Sequence, residues 1–296
     1  MPELYTPSQS VLDAYGIEQP LQPLSGGRGL CFLAGDVVLR PVDYAVETEW
    51  MSVLLYILNN ISNHNYRISR PFPNGNLSRV SPSNQFIADG WTASSFLPGK
   101  DGPRGRWNRL FNASRAFHRD LKDLVREPPA FLSSRTHRWA QADRVTWDEK
   151  SLNDIPDVDP TILELIKPYL ARLEGLKEPL SKDALICQLI HGDLTGNVLF
   201  DMEGQELPPA IIDISPYWRP VEYSEAIVVA DGLLDHAEGS KLILMYGTDK
   251  FRLQLLVRAV YWRILTLAIQ PGSPLADAWL QGIDFDRAVT HVSEAF

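Results

Sequence analysis

The sequence predicts an α+β chain with two lobes: a β-rich lobe over residues 1–97 and a mainly helical lobe over residues 98–296. Three observations predict it. Up to residue 96 the apolar residues fall in short runs separated by Gly, Pro, Asn and Ser, the pattern of short strands and turns. Leu97-Pro98-Gly99-Lys100-Asp101-Gly102-Pro103-Arg104-Gly105 is the strongest Gly/Pro linker in the chain. Beyond it, apolar residues recur at helical spacing over long stretches.

At 296 residues and 45% hydrophobic content the chain is long enough for two lobes, each with its own core. The formal net charge is −9, and no Lys/Arg-rich run appears, which argues against a nucleic-acid partner. The acidity would suit a cationic substrate such as an amine. Only Cys31 and Cys187 are present, far apart, so neither a disulfide scaffold nor a zinc site is expected. Met1-Pro2-Glu3-Leu4-Tyr5-Thr6-Pro7 lacks the basic and apolar segments of a secretion signal. No apolar run approaches membrane-spanning length. The expectation is a reducing, cytoplasmic setting without a membrane partner.

In order, residues 8–15 read as a short helix closed by Gly16. Gly26, Gly27 and Gly29 form a glycine-rich turn, and Gly35-Asp36 a hairpin turn into a strand from Val37 to Arg40. Such glycines let backbone N–H groups approach phosphates closely, although no Gly-Lys-Ser/Thr follows. A helix opens at Glu47-Thr48-Glu49-Trp50 and runs to Leu58, with Trp50, Val53, Leu54 and Ile57 on its apolar face. Residues 66–70 alternate as a strand, 71–84 read as loop, and 85–88 and 91–96 as strands around Asp89-Gly90.

The second lobe opens with an amphipathic helix, 107–125, whose face carries Leu110, Ala113, Phe117, Leu121 and Leu124, with His118 beside it. Residues 131–147 are aromatic and basic and read as packing with cation–π contacts in preference to the lining of a ligand pocket. A helix over 161–176 contains Pro168, which should kink it. Helices over 221–236 and 249–269 follow. Asp231 lies in the apolar stretch of the first of these, where a buried carboxylate needs hydrogen-bond partners. Two short helices, from Pro274 and Asp284, finish the chain.

Between these helices stands the stretch that carries chemistry. Gln188-Leu189-Ile190 enters His191-Gly192-Asp193-Leu194-Thr195-Gly196-Asn197, and Val198-Leu199-Phe200 leaves. A second apolar run, Ala210-Ile211-Ile212, then delivers Asp213. Two carboxylates and a carboxamide at the ends of apolar runs are the oxygen ligands that hard cations require.

His191-Gly192-Asp193-Leu194-Thr195-Gly196-Asn197 followed by Ile211-Ile212-Asp213 resembles the catalytic and metal-binding loops of the aminoglycoside phosphotransferase family. That family has a two-lobed protein-kinase-like fold and includes many small-molecule kinases. The stretch Ser215-Pro216-Tyr217-Trp218-Arg219-Pro220 is similar to a branch of it seen in actinobacteria and fungi.

The resemblance implies ATP and magnesium as cofactors and transfer of the γ-phosphate to a hydroxyl of a small-molecule acceptor. Asp193 would be the catalytic base, with Asn197 and Asp213 holding magnesium. Arg40 would stand where the family carries a phosphate-pairing lysine, with Glu47 or Glu49 as its partner. The backbone from Ser95 to Leu97 would read adenine, and the Gly26, Gly27 and Gly29 turn would cover the phosphates.

The sequence also departs from the family pattern. Asn197 stands four steps after Asp193 instead of five, Arg40 replaces lysine, and no glycine follows Asp213 closely. These departures leave open a pseudokinase-like protein that binds nucleotide or another ligand without turnover, and transfer of a nucleotidyl group is a third reading.

Overall fold

The structure is a computed structural model that describes residues 6–24, 29–61, 65–75, 85–181, 185–201, 207–270 and 280–296. The chain forms two compact units, Met1–Asp101 with Val198–Ile212, and Gly102–Asn197 with Asp213–Phe296. The first unit thus reaches past the expected boundary at Leu97 and takes in a later segment that the sequence assigns to the second lobe.

In the first unit, strands β1 (Gln22–Pro23), β2 (Phe32–Ala34), β3 (Val37–Pro41), β5 (Pro71–Phe72) and β6 (Trp91–Ser95) form an antiparallel sheet in the order β1-β2-β3-β6-β5. The β2–β3 hairpin turns at Gly35, whose φ of 59° a residue without Cβ adopts freely. Helix α1 (Gln9–Tyr15) closes the core, in which Val11 and Ile17 pack with Phe32, Ala34, Leu39, Trp91 and Ala93. Strand alternation puts Leu39 in that core and leaves Arg40 exposed on the other face.

Two sequence expectations change here. Residues 71–72 pair with β6 as an edge strand, a place that tolerates a proline. Residues 85–88 are not a strand. The backbone N–H groups of Gln85 and Phe86 donate to the Glu49 carboxylate, at 2.6 and 3.1 Å, and only Ala88 bridges to Trp91.

The same carboxylate helps to set helix α2 (Ala45–Leu58). It buries Glu49, Met51, Leu54 and Leu58, while Val53 and Ile57, expected on the packed face, are 40% and 46% exposed. A buried carboxylate holding two amides fixes the helix rotation against the pull of two aliphatic side chains. The Tyr56 and Phe86 rings, 5.6 Å apart, complete this contact.

A second sheet, β4-β9-β8, explains why the later segment belongs to this unit. β4 (Arg67–Ile68) pairs parallel to β9 (Ala210–Ile211), and β9 antiparallel to β8 (Val198–Leu199). Lys100 and Phe200 exchange both backbone hydrogen bonds, at 2.8 and 2.9 Å. Gly99 permits that approach, because a Cβ there would lie 2.8 Å from the Leu199 Cβ.

The second unit is built on helices α3 (Trp107–Leu124), α4 (Phe131–Ser134), α5 (Arg138–Thr146), α6 (Pro160–Glu174), α7 (Val221–Leu234), α8 (Ser240–Tyr246), α9 (Lys250–Thr266) and α10 (Phe285–Glu294). Helix α6 starts at the Asp159 cap and runs through Pro168. Helices α7 and α9 pack on each other and are buried on most sides. Strand β7 (Cys187–His191) crosses α3 and α7 and pairs with β10 (Pro216–Pro220), from Pro216 opposite His191 to Pro220 opposite Cys187. Pro216 and Pro220 stand at the two ends of a strand with one partner, where a missing N–H donor is tolerated. Among the described residues, no helix is long and apolar enough to cross a membrane.

Removing the buried anchor in Glu49→Ala leaves two amides without their acceptor and should cost roughly 1–3 kcal/mol. Urea unfolding checks this, and unchanged stability would show that the α2 packing does not depend on Glu49.

Candidate active site

Buried Leu189 and Ile190 hold β7 in the core, so the chain leaves its end at a defined point. There the His191 backbone N–H donates to His118 Nε2 at 2.9 Å. His118, buried in α3, places Nδ1 2.8 Å from the Ser114 carbonyl oxygen. A carbonyl only accepts, so Nδ1 carries the proton and Nε2 is the acceptor. Burial, with His191 alongside, pulls the His118 imidazole down to about 3. The next turn repeats the device, with the Asp193 N–H donating to His191 Nδ1 at 3.0 Å. Between them Gly192 donates to the Ser215 carbonyl at 2.8 Å, and a Cβ on it would overlap the Tyr217 ring. Two histidine nitrogens acting as acceptors and one glycine thus shape the path into Asp193.

The Asp193 carboxylate has a donor on each oxygen. Arg263 Nη2 lies 2.8 Å from Oδ1, and Asn197 Nδ2 lies 3.0 Å from Oδ2. Arg263 comes from α9 and also grips Asp231 on α7, with Nε 2.7 Å from Oδ1 and Nη2 2.9 Å from Oδ2. The side chains of Arg263 and Asp231 are 3% and 4% exposed, and that of Asp193 is 43% exposed. The guanidinium carbon lies 4.6 Å from the Trp262 ring centroid and 5.2 Å from that of Trp139. Burial pulls Arg263 down, but Asp231 and Asp193 outweigh it and hold the cation above the ordinary arginine range. Burial pushes Asp231 up against the pull of Arg263. Sequence reasoning singled out Asp231 but missed Arg263. Its signal was a cation inside an apolar helix, which requires a buried anion.

Despite the short spacing, Asn197 folds back onto Asp193. Its N–H bonds the Leu194 carbonyl, Gly196 takes φ 83°, and Nδ2 also reaches the Asp193 carbonyl at 2.6 Å. With the nitrogen fixed there, the carboxamide oxygen is turned to the other side. Asp213 is exposed, and its φ of 46° is a left-handed conformation uncommon for a residue with a Cβ. Conformations of this kind gather at functional sites. Among the described residues, no group of three or more His, Cys, Asp or Glu side chains forms a metal cage. One carboxylate and one carboxamide oxygen fit magnesium, which keeps waters and takes its other ligands from phosphates.

The remaining expected residues lie in the first unit. Gly26 and Gly27 fall outside the described residues, while Gly29 has φ 67° and open space around it. Glu47 is in the first turn of α2, and Glu49 faces the 85–86 backbone. The Ser95 N–H donates to Arg70 O and the Phe96 N–H to Asp36 O, so both amides are already bonded within the unit.

The second unit also contains a cavity of about 470 Å³. The two aromatic and basic stretches, 131–147 and 217–219, both line it. Arg135, Arg144, Arg219, Asp143 and Glu149 are among its lining, with Arg219 bonded to both carboxylates. Arg135 also lies over the Phe131 and Tyr217 rings, at 5.5 and 5.7 Å, as the packing reading expected. Tyr217 is shared, since it lines the cavity and packs on Gly192.

His118 makes the pH dependence testable. Its folded pKa of about 3 lies below the unfolded value near 6.5, so the unfolded chain takes up a proton that the folded one refuses. Its contribution is present above about pH 6.5 and is lost toward pH 3, at up to about 1.4 kcal/mol per pH unit. His118→Gln should flatten the fall in stability between pH 6.5 and 4. Identical slopes in both proteins would contradict the assignment.

No protein-family model matches the sequence, and no curated protein sequence matches it. Solved structures do match over nearly the whole chain. A microcompartment-associated aminopropanol kinase is 16% identical, with 96% of this chain and 93% of that one covered and a TM-score of 0.56. An aminoglycoside phosphotransferase from Alicyclobacillus acidocaldarius is 15% identical over 98% and 95%, with a TM-score of 0.54. The GDP complex of aminoglycoside 2'-phosphotransferase-IIIa is 13% identical over 97% and 96%, also at 0.54. Strand order, helices and these likenesses together show that the chain has the α+β, protein-kinase-like fold of the aminoglycoside phosphotransferases.

Proposed function

We propose that this chain is an ATP- and magnesium-dependent phosphotransferase that moves the γ-phosphate to a hydroxyl of a small molecule. The observation that carries the reading is Asp193, half exposed at the end of a buried strand with a donor on each carboxylate oxygen. A carboxylate so oriented can accept the proton of an acceptor hydroxyl. The acceptor oxygen bonds to the γ-phosphorus, the bridge to the β-phosphate breaks, and its electron pair leaves with ADP. The proton then passes from Asp193 to solvent. Magnesium, held by Asp213 and the Asn197 oxygen, would neutralise phosphate charge.

In the first unit the glycine turn that includes Gly26, Gly27 and Gly29 would cover phosphates, and Arg40 would pair with them. Because Glu49 is committed to the 85–86 backbone, Glu47 is the carboxylate we assign to Arg40. The Leu97 backbone would read the base beyond Ser95. The aminopropanol kinase and the GDP complex among the similar structures support a small-molecule acceptor and a nucleotide donor.

The acceptor would occupy the cavity beside Tyr217. Its two carboxylates share Arg219, and with Arg135 and Arg144 the lining carries three cations to two anions. That lining suits a neutral or anionic hydroxyl compound better than the amine suggested by net charge. A nucleotide-binding protein without turnover is the second reading, favoured by Arg40 in place of the family's lysine and by the absence of a glycine close after Asp213.

Thermal unfolding with and without ATP plus magnesium tests the donor site. At ligand one hundred times its dissociation constant, binding should stabilise the wild type by about 2.7 kcal/mol. Asp213→Ala should lose the magnesium-dependent part. No shift in the wild type, or an undiminished shift in the variant, would contradict the assignment.

A further inference from the structure

We propose that Arg263 is a positioning residue for Asp193, holding the carboxylate in the orientation that receives the acceptor hydroxyl. The functional half of this inference rests on the phosphotransfer reading, while the positional half does not. Arg263 lies on α9, seventy residues beyond Asp193 in the sequence. A buried arginine needs an anion, and Asp231 alone supplies one through two hydrogen bonds. A purely structural pair would be complete at that point. Here the pair is extended to a third member, Asp193, whose side chain is 43% exposed while those of Arg263 and Asp231 are buried.

The chemistry of the guanidinium explains how this works. Nη2 carries two hydrogens. One serves Asp231 Oδ2 and the other Asp193 Oδ1. The Nε bond to Asp231 Oδ1 and the flanking Trp139 and Trp262 rings fix the plane of the group, so the second hydrogen has one direction to point. Asn197 then holds the other Asp193 oxygen. Two donors on separate oxygens define the carboxylate plane and leave its remaining lone pairs toward solvent. Lysine would not reproduce this, since its single nitrogen lacks the planar fork.

The test is a double variant, Arg263→Met with Asp231→Leu, which removes the buried pair together and leaves no unmatched buried charge. It is read by amide hydrogen exchange and by magnesium-dependent ATP hydrolysis with water as acceptor. Exchange at Leu194 to Asn197 should accelerate at least about ten-fold while α7 and α9 stay protected. The kcat for hydrolysis should fall about 100-fold with KM for ATP unchanged, because the lost interaction concerns orientation of the base. In an Asp193→Asn background the double substitution should lower kcat no further, as expected for groups acting as a unit.

Wild-type loop exchange and wild-type kcat in a folded double variant would overturn the proposal. Accelerated loop exchange in a protein whose wild type consumes no ATP, with water or with a pool of hydroxylated acceptors, would keep Arg263 as the positioning residue and remove the phosphotransferase reading. Should the double variant not fold, Arg263→Lys keeps the buried charge and is read in the same two ways. It should free the loop and lower kcat, and unchanged values there would equally overturn the proposal.

Discussion

The second unit depends on one shared nitrogen. Arg263 Nη2 bonds both Asp231, deep between helices, and Asp193, at the surface of the loop. Burying a guanidinium in an apolar helix is unfavourable unless an anion accompanies it, and burying a carboxylate alone is equally so. Each makes the other tolerable, and the pair joins α7 to α9. The neighbouring aromatic residues follow from the same need. Trp139 and Trp262 flank the cation, Tyr217 packs on Trp262, and Gly192 is glycine because Tyr217 fills the place of its side chain. A mechanical chain therefore runs from a buried ion pair to the backbone that carries Asp193.

The first unit is arranged around a different buried charge. Glu49 takes the amides of residues 85 and 86 and thereby sets the rotation of α2. In doing so it leaves the pairing of Arg40 to other groups. The amides of Ser95 and Phe96 bond within the unit, which narrows what its last strand can offer a ligand. These commitments give this chain its own version of a widely used fold. They also explain why similar architecture at 13–16% identity carries the fold and not the substrate.

Much of this was legible in the sequence where local patterns decide it. The hairpin at Gly35, the long helices and the approach to Asp193 all follow from short-range spacing. Legibility ended where distant charges choose partners. Nothing local told Glu47 from Glu49, and Val53 and Ile57 look like a buried face until Glu49 claims the helix orientation. Arg263 was readable in principle, as a cation inside an apolar helix, but its partners lie 32 and 70 positions away. The four-step spacing to Asn197 departs from the family pattern, and in the structure a left-handed Gly196 brings the carboxamide onto Asp193.

The central claim is that Asp193 serves phosphoryl transfer. Phosphorus-31 NMR of ATP and magnesium with the purified protein, with and without a pool of hydroxylated metabolites, tests it most directly. The account predicts conversion of ATP to ADP, faster when an acceptor is present and abolished by Asp193→Asn. ATP that persists unchanged under all conditions, or conversion that survives Asp193→Asn, would contradict it.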